Sequence, residues 1–294
     1  MKKTFVILAI ACVAMLMSAC KKEGVYNPNQ KISKIYTTET TTPLVGEQAI
    51  VLTPRHLSES WTWKGNLLEK IDCYNQDGQY SHTVTFTYDS KKRVSKVDKT
   101  DAHAEYSYNG KELSEAKYYI GNQLYQTYQF SHDKGKISEI KITTEAIPEL
   151  TKNVNVNLMQ FVLPSQICQA IDNAQKESIA KNGIKGSSTA TTTLTWEKNN
   201  ISKFVYKEEN GYEETFEGEY DGYKNPYYGM FGLDFAYSNL SKNNPFKEHY
   251  KSSDSDITLM AYTNYEYGDT HLYPIKASRV DLNNLTTVYE YEYK

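Results

Sequence analysis

Turn-forming dipeptides recur along this chain at intervals too short for helices. Asp77-Gly78, Asn109-Gly110, Asn210-Gly211 and Asp221-Gly222 suit the type I′ hairpin, whose two central residues both need φ > 0. Gly65-Asn66, Gly121-Asn122 and Gly268-Asp269 suit the type II′ alternative. With the weaker signals at Asp89-Ser90-Lys91 and Asp133-Lys134-Gly135, turns fall near 65, 77, 90, 109, 121 and 134. Successive gaps are 12 or 13 residues, apart from one of 19 that Lys99-Thr100-Asp101 divides. That spacing leaves strands of roughly eight to ten residues, each pairing with its predecessor. The expected fold is all-β, a large antiparallel meander of about sixteen strands. Such a sheet must curl or close into a barrel-like form, because long open sheets twist and expose their edges.

A repeat supports this reading. Val94-Ser95-Lys96-Val97, Leu113-Ser114-Glu115-Ala116, Ile137-Ser138-Glu139-Ile140 and Ile201-Ser202-Lys203-Phe204 each read apolar, Ser, charged, apolar, and each follows a turn. Ile32-Ser33-Lys34-Ile35 is a fifth copy and Leu68-Glu69-Lys70-Ile71 a looser one. Before three of the turns stand aromatic pairs two apart (Phe86/Tyr88, Tyr106/Tyr108, Tyr128/Phe130), with Leu194/Trp196 an imperfect fourth. Residues two apart share a face of a strand. The apolar positions of the Ser motif are three apart and fall on opposite faces of a regular strand. Either a bulge returns them to one face or both faces are partly covered.

The chain opens with an address. Met1-Lys2-Lys3-Thr4 is basic, and the uncharged run Phe5–Met17 matches a secretory core too short to span a bilayer. Leu16-Met17-Ser18-Ala19-Cys20 resembles a bacterial lipobox, in which Cys20 takes the lipid and becomes the new N-terminus; Met17 stands where that pattern usually has Leu. The expected organisation is a signal peptide over 1–19, a lipidated tether over 20–30 and one β domain over 31–294. Lys21 after the cysteine, where Asp would retain a lipoprotein, points by analogy to the outer membrane. Lys21-Lys22-Glu23 faintly resembles a signal for the cell surface, so the membrane face stays open. The mature domain then holds Cys73 and Cys168, either as one disulfide or as two buried thiols.

The repeats carry a likeness. Phe86-Thr87-Tyr88-Asp89-Ser90-Lys91-Lys92-Arg93-Val94 resembles the YD repeat of large bacterial shell proteins. The sequence is also similar to an uncharacterised family of bacterial lipoproteins built from related hairpins. That likeness runs through Trp61-Thr62-Trp63-Lys64-Gly65-Asn66-Leu67, the stretch from Tyr220 to Gly229, and Leu240-Ser241-Lys242-Asn243-Asn244-Pro245-Phe246. The resemblance implies a soluble, porin-like sheet and no assigned reaction.

One segment departs from the pattern. Between 146 and 186 hairpin signals are absent. Ser165 suits the cap of a helix running to about 182, with Gly183 beyond its end and Ile167, Ala170, Ile171 and Ala174 on one face. The expectation is a helix covering one end or edge of the sheet. A membrane-spanning barrel is not expected, because a lipid-facing strand needs apolar residues at every second position. Glu213–Glu219 reads Glu-Glu-Thr-Phe-Glu-Gly-Glu instead.

Chemistry-bearing motifs are scarce. His56, His82, His103, His132, His249 and His271 show neither HExxH nor zinc spacing with Cys. Asp254-Ser255-Asp256 lacks the glycine and distal glutamate of a calcium loop, and Gly183–Ser188 is neither a nucleophile elbow nor a phosphate loop. No metal, no cofactor and no catalysis are expected. Removing Lys2 and Lys3 with the first nineteen residues leaves 31 basic against 36 acidic residues, which excludes the clustered positive surface of a nucleic-acid binder. Tyrosine is the compositional outlier, at 26 of 294 residues. Trp61, Trp63, Tyr262, Tyr265 and Tyr267, with Tyr289, Tyr291 and Tyr293, are candidates for a platform holding a glycan or peptide, since a flat ring offers an apolar face and Tyr adds a hydroxyl. Cross-strand packing is the plainer use of such rings. The functional expectation is a lipid-anchored, non-catalytic binding module. The alternative is a structural or protein-interaction component of the outer membrane surface.

Overall fold

The computed structural model describes residues 23–41, 48–145, 187–232, 237–253, 258–269, 272–280 and 285–294. Its strands are β1 Ile32–Thr41, β2 Val51–Lys64, β3 Leu67–Tyr74, β4 Tyr80–Tyr88, β5 Val94–Lys99, β6 Ala102–Asn109, β7 Glu112–Ile120 and β8 Gln123–Asp133. The second half is β9 Lys136–Thr144, β10 Ser188–Glu197, β11 Asn200–Glu208, β12 Glu213–Lys224, β13 Asn243–Ser252, β14 Thr258–Tyr267, β15 Pro274–Val280 and β16 Leu285–Tyr293. Every strand pairs antiparallel with its predecessor, and β1 pairs with β16 from Ile32↔Tyr293 to Thr41↔Leu285. The expected meander is thus a closed sixteen-stranded barrel, with no strand edge left free among the described residues.

A bulge resolves the Ser motif. In all six copies the register slips by one residue at the second position, as where Ser107↔Glu115 is followed by Tyr108↔Leu113. The slip turns both apolar residues inward, and all twelve are at most 6% exposed. The charged third residue faces water, where Lys70 meets Asp72, Lys96 meets Asp98 and Lys203 meets Glu217. Serine fits the bulge because its hydroxyl reaches the partner strand: Ser33, Ser95, Ser138 and Ser202 donate to the carbonyls of Glu292, Thr87, Ser131 and Thr195 at 3.1–3.3 Å.

The carbonyl of the motif's first residue is satisfied from the neighbouring strand. Trp63 Nε1, Tyr88 Oη, Tyr108 Oη, Trp196 Nε1 and Tyr220 Oη donate to the carbonyls of Ile32, Leu68, Val94, Ile137 and Ile201, each at 2.7 Å. Tyr265 and Tyr293 do the same to Pro245 and Pro274. These clasps form a belt round one end of the barrel and account for part of the tyrosine excess.

That end is also plugged. The described part of the connection from β12 to β13 turns inward, burying Phe231 against Tyr106 with ring centroids 5.5 Å apart and packing the half-buried Tyr227 between Trp61 and Tyr291. Tyr26, 2% exposed, packs on Trp61 and Trp63 and donates to Pro226 O at 2.7 Å. The stretch expected as a tether is therefore docked over its described part: Gly24 O accepts from Val94 N, and Glu23 Oε2 accepts from Leu113 N at 2.6 Å.

The outer wall is charged. Lys34, Arg55, Lys247 and Lys276 pair across strands with Glu292, Glu290, Glu219 and Glu266. Four turn assignments change. In Asp77-Gly78 and Asn210-Gly211 only the glycine has positive φ, and Gly78 N and Gly211 N donate back to Asn75 O and Glu208 O. Asn109 pairs with Glu112, so its hairpin loop is Gly110-Lys111 with only Gly110 at positive φ. Asp221-Gly222 lies inside β12, where the register slips between Tyr220 and Lys224 and the Asp221 carboxylate caps Tyr223 N. The type I′ geometry belongs to Lys134-Gly135, at φ 51° and 73°. The expected helix over 165–182 lies outside the described residues, as do residues 1–19 and Cys20.

Candidate functional site

Sixteen strands enclose more space than their own side chains and the plug fill. The remainder is a chamber of about 700 Å³. Its floor is the plug, through Asn225, Pro226, Tyr227, Met230 and Asn239. Its walls are Trp61 and Glu59 of β2, Ile71 and Cys73 of β3, His82, Val84 and Phe86 of β4, and the inward residues of β11 to β16. Strand alternation places them: Thr263 and Tyr265 point inward from β14, Ala277 and Arg279 from β15, Tyr289 and Tyr291 from β16.

One sector of this lumen is polar. Arg279 Nη1 donates to Glu248 Oε2 across the intervening strand β14, and both side chains are buried. Ala261 stands opposite Glu248 in the register, and its small side chain leaves the guanidinium a path. Burial works against the Arg279 charge, but Glu248 outweighs it and the guanidinium is held more firmly protonated than usual. Its Nε and Nη2 are buried and have no hydrogen-bond partner. Glu59 accepts from Trp61 Nε1 at 2.7 Å, and enclosure raises its carboxyl above the ordinary range despite that bond. Burial, then the charges of Glu59 and Asp72, push the Cys73 thiol up to about 12, so it stays protonated. His82 is held below its ordinary value by burial and by Lys99.

The candidate rings divide. Trp61, 4% exposed, and Tyr265 line the chamber, as do Tyr289 and Tyr291. Trp63 does not: its indole is committed to Ile32 O and packs at a tilt against Tyr26. Tyr262 lies on the outer wall at 47% exposure, because it is out of phase with Tyr265. Tyr267 sits at the rim, donating to Asp221, accepting from Asn244 Nδ2 and stacking on Tyr223 at 3.9 Å. Cys73 has no disulfide among the described residues; Cys168 lies outside them. No three-group metal cluster occurs among the described residues, and His271 and Asp254-Ser255-Asp256 lie outside them.

Sequence reasoning missed Glu59, Glu248 and Arg279. The available signal was an inverted pattern in β13, where Phe246 is exposed and Glu248 is buried.

Fold and site together define a class: a closed, plugged, all-β barrel with a partly polar chamber in its lumen. Among solved structures it is similar to a porin-like protein from Bacteroides vulgatus ATCC 8482, with 10% identity, TM-score 0.46, and coverage of 90% of this chain and 99% of the other. It is similar also to a porin-like protein from Bacteroides uniformis ATCC 8492, with 10% identity, TM-score 0.48, and coverage of 91% and 99%. No family model matches the sequence, and no curated protein matches it.

Proposed function

We propose that this chain is an envelope protein, anchored by lipid on Cys20 in the outer membrane, whose barrel lumen binds a glycan or peptide without transforming it. The observation that carries this reading is the chamber. Its volume falls within the range of small-molecule sites, and its rings combine with a few polar groups as binding pockets do. The anchor adds an orientation. Only Lys21 and Lys22 separate Cys20 from Glu23, which is bonded to the barrel, so the plugged end stands within about 11 Å of the lipid attachment. The opposite end, which carries the connection from β9 to β10, then points away from the bilayer.

The purified protein on a glycan array and a peptide array, followed by calorimetric titration of any hit, tests the binding. A saturable hit that loses affinity in Trp61→Phe/Tyr265→Phe supports the reading. Silence on both arrays, with a protein partner recovered by crosslinking in cells, favours a structural or protein-interaction role instead. The specific feature favouring that second role is the run Ile50-Val51-Leu52, whose residues are 54–65% exposed. Labelling with an alkyne fatty acid, controlled by Cys20→Ala, tests the anchor. Label persisting in the control contradicts it.

A further inference from the structure

We propose that Arg279 is the docking point for a carboxylate on the chamber's ligand. This inference rests on reading the chamber as a ligand site and adds the ligand's chemistry. Arg279 projects from β15 and is 8% exposed. One corner of its guanidinium is taken, with Nη1 donating to Glu248. Nε and Nη2 remain buried and without partners. Those two N–H groups lie on the same edge of the planar group and point in parallel, the fork that meets both oxygens of a carboxylate. Buried donors left unsatisfied are costly, and folded proteins rarely keep them unless something occupies the site. Arg279 is itself part of the chamber's lining, so this unpartnered edge lies beside the chamber.

The surroundings narrow the occupant. Glu248 already neutralises part of the guanidinium's charge, and Glu59 stands in the same chamber, so a single negative charge fits better than a phosphate dianion. The rings of Trp61, Tyr227, Tyr289 and Tyr291 line the walls and suit a flat or ring-bearing body. The ligand is therefore a small monocarboxylate carrying a ring. An acidic sugar and a short peptide with a free carboxyl terminus share that chemistry.

The test compares acids with their neutral twins on the intact protein: D-glucuronate against D-glucose, and N-acetyl-phenylalanine against its amide. Binding is read by Trp61 fluorescence and by the Arg279 Nε–H resonance. The acid of at least one pair should bind about tenfold or more tighter than its twin, with the Nε–H resonance shifting as it binds. The pair that shows the preference distinguishes the sugar source from the peptide source. Arg279→Lys keeps the charge but loses the fork, so it should lose most of that preference. Arg279→Met with Glu248→Leu removes both charges together, leaving none buried alone, and should bring the acid down to its twin. If that variant fails to fold, the acid–neutral comparison and the resonance in the parent protein decide. Equal binding of acid and twin, or a preference that survives in the double variant, overturns the carboxylate role and leaves the chamber reading standing. No binding by any of the four probes overturns both.

Discussion

Two single residues carry consequences that a stability measurement can reach. Gly24 has φ +75°, and a Cβ there would lie 2.0 Å from Tyr108 Oη, which is itself held by Val94 O. Gly24→Ala is expected to destabilise the protein by about 1–3 kcal/mol. The Val94 amide, which donates to Gly24 O, should exchange faster in that variant. Unchanged stability and exchange would contradict the docking of the N-terminal stretch. Glu214 is fully buried, with Tyr212 donating to it. Burial holds its carboxyl above the ordinary range despite the hydroxyls of Tyr212 and Tyr250. A raised acid favours the protonated folded form, so the stabilisation is complete below the unfolded value near 4.5 and is lost as pH rises through the folded value. Glu214→Gln should remove that decline. Urea titrations at pH 4 and pH 8 should show the variant gaining on the parent as pH rises, whereas parallel pH profiles would contradict the assignment.

At the scale of the element, the bulged Ser motif separates two contributions. Ile201, 1% exposed, is the inward residue of its copy, and Ile201→Ala should cost about 2–5 kcal/mol. The Ser202 hydroxyl bonds at the rim to Thr195 O, and Ser202→Ala should cost only about 0.5–1.5 kcal/mol. Chemical denaturation of the pair checks the order, and a serine loss as large as the isoleucine loss would mean the bulge itself fails. These elements were legible because their signals are local: a turn, a serine at a fixed offset and an aromatic pair two apart. The turn chemistry was less legible. Asp221-Gly222 has the composition of a hairpin turn, yet tertiary demand from Asn244 and Tyr267 on the Asp221 carboxylate recruits it into a strand. The offset between the two apolar positions left the bulge undecided until the register of the partner strands settled it.

For the whole molecule, strand number and order followed from turn spacing, and closure followed from the cost of leaving long edges bare. The chamber was not legible in the same way. Arg279 and Glu248 are 31 positions apart and meet only because β14 separates their strands by one place in the sheet. The rings of β14 looked equivalent by composition, but one-residue phase sends Tyr262 to water and Tyr265 to the lumen. Everything attributed to the lumen requires the seam between β1 and β16 to be shut. Amide hydrogen exchange over Ile35–Thr40 measures this directly, because those residues face Tyr291–Thr286 on one side and β2 on the other. A closed barrel predicts protection at consecutive amides of β1. Rapid exchange at every second amide would mean that β1 is a bare edge, and would contradict closure and the chamber with it.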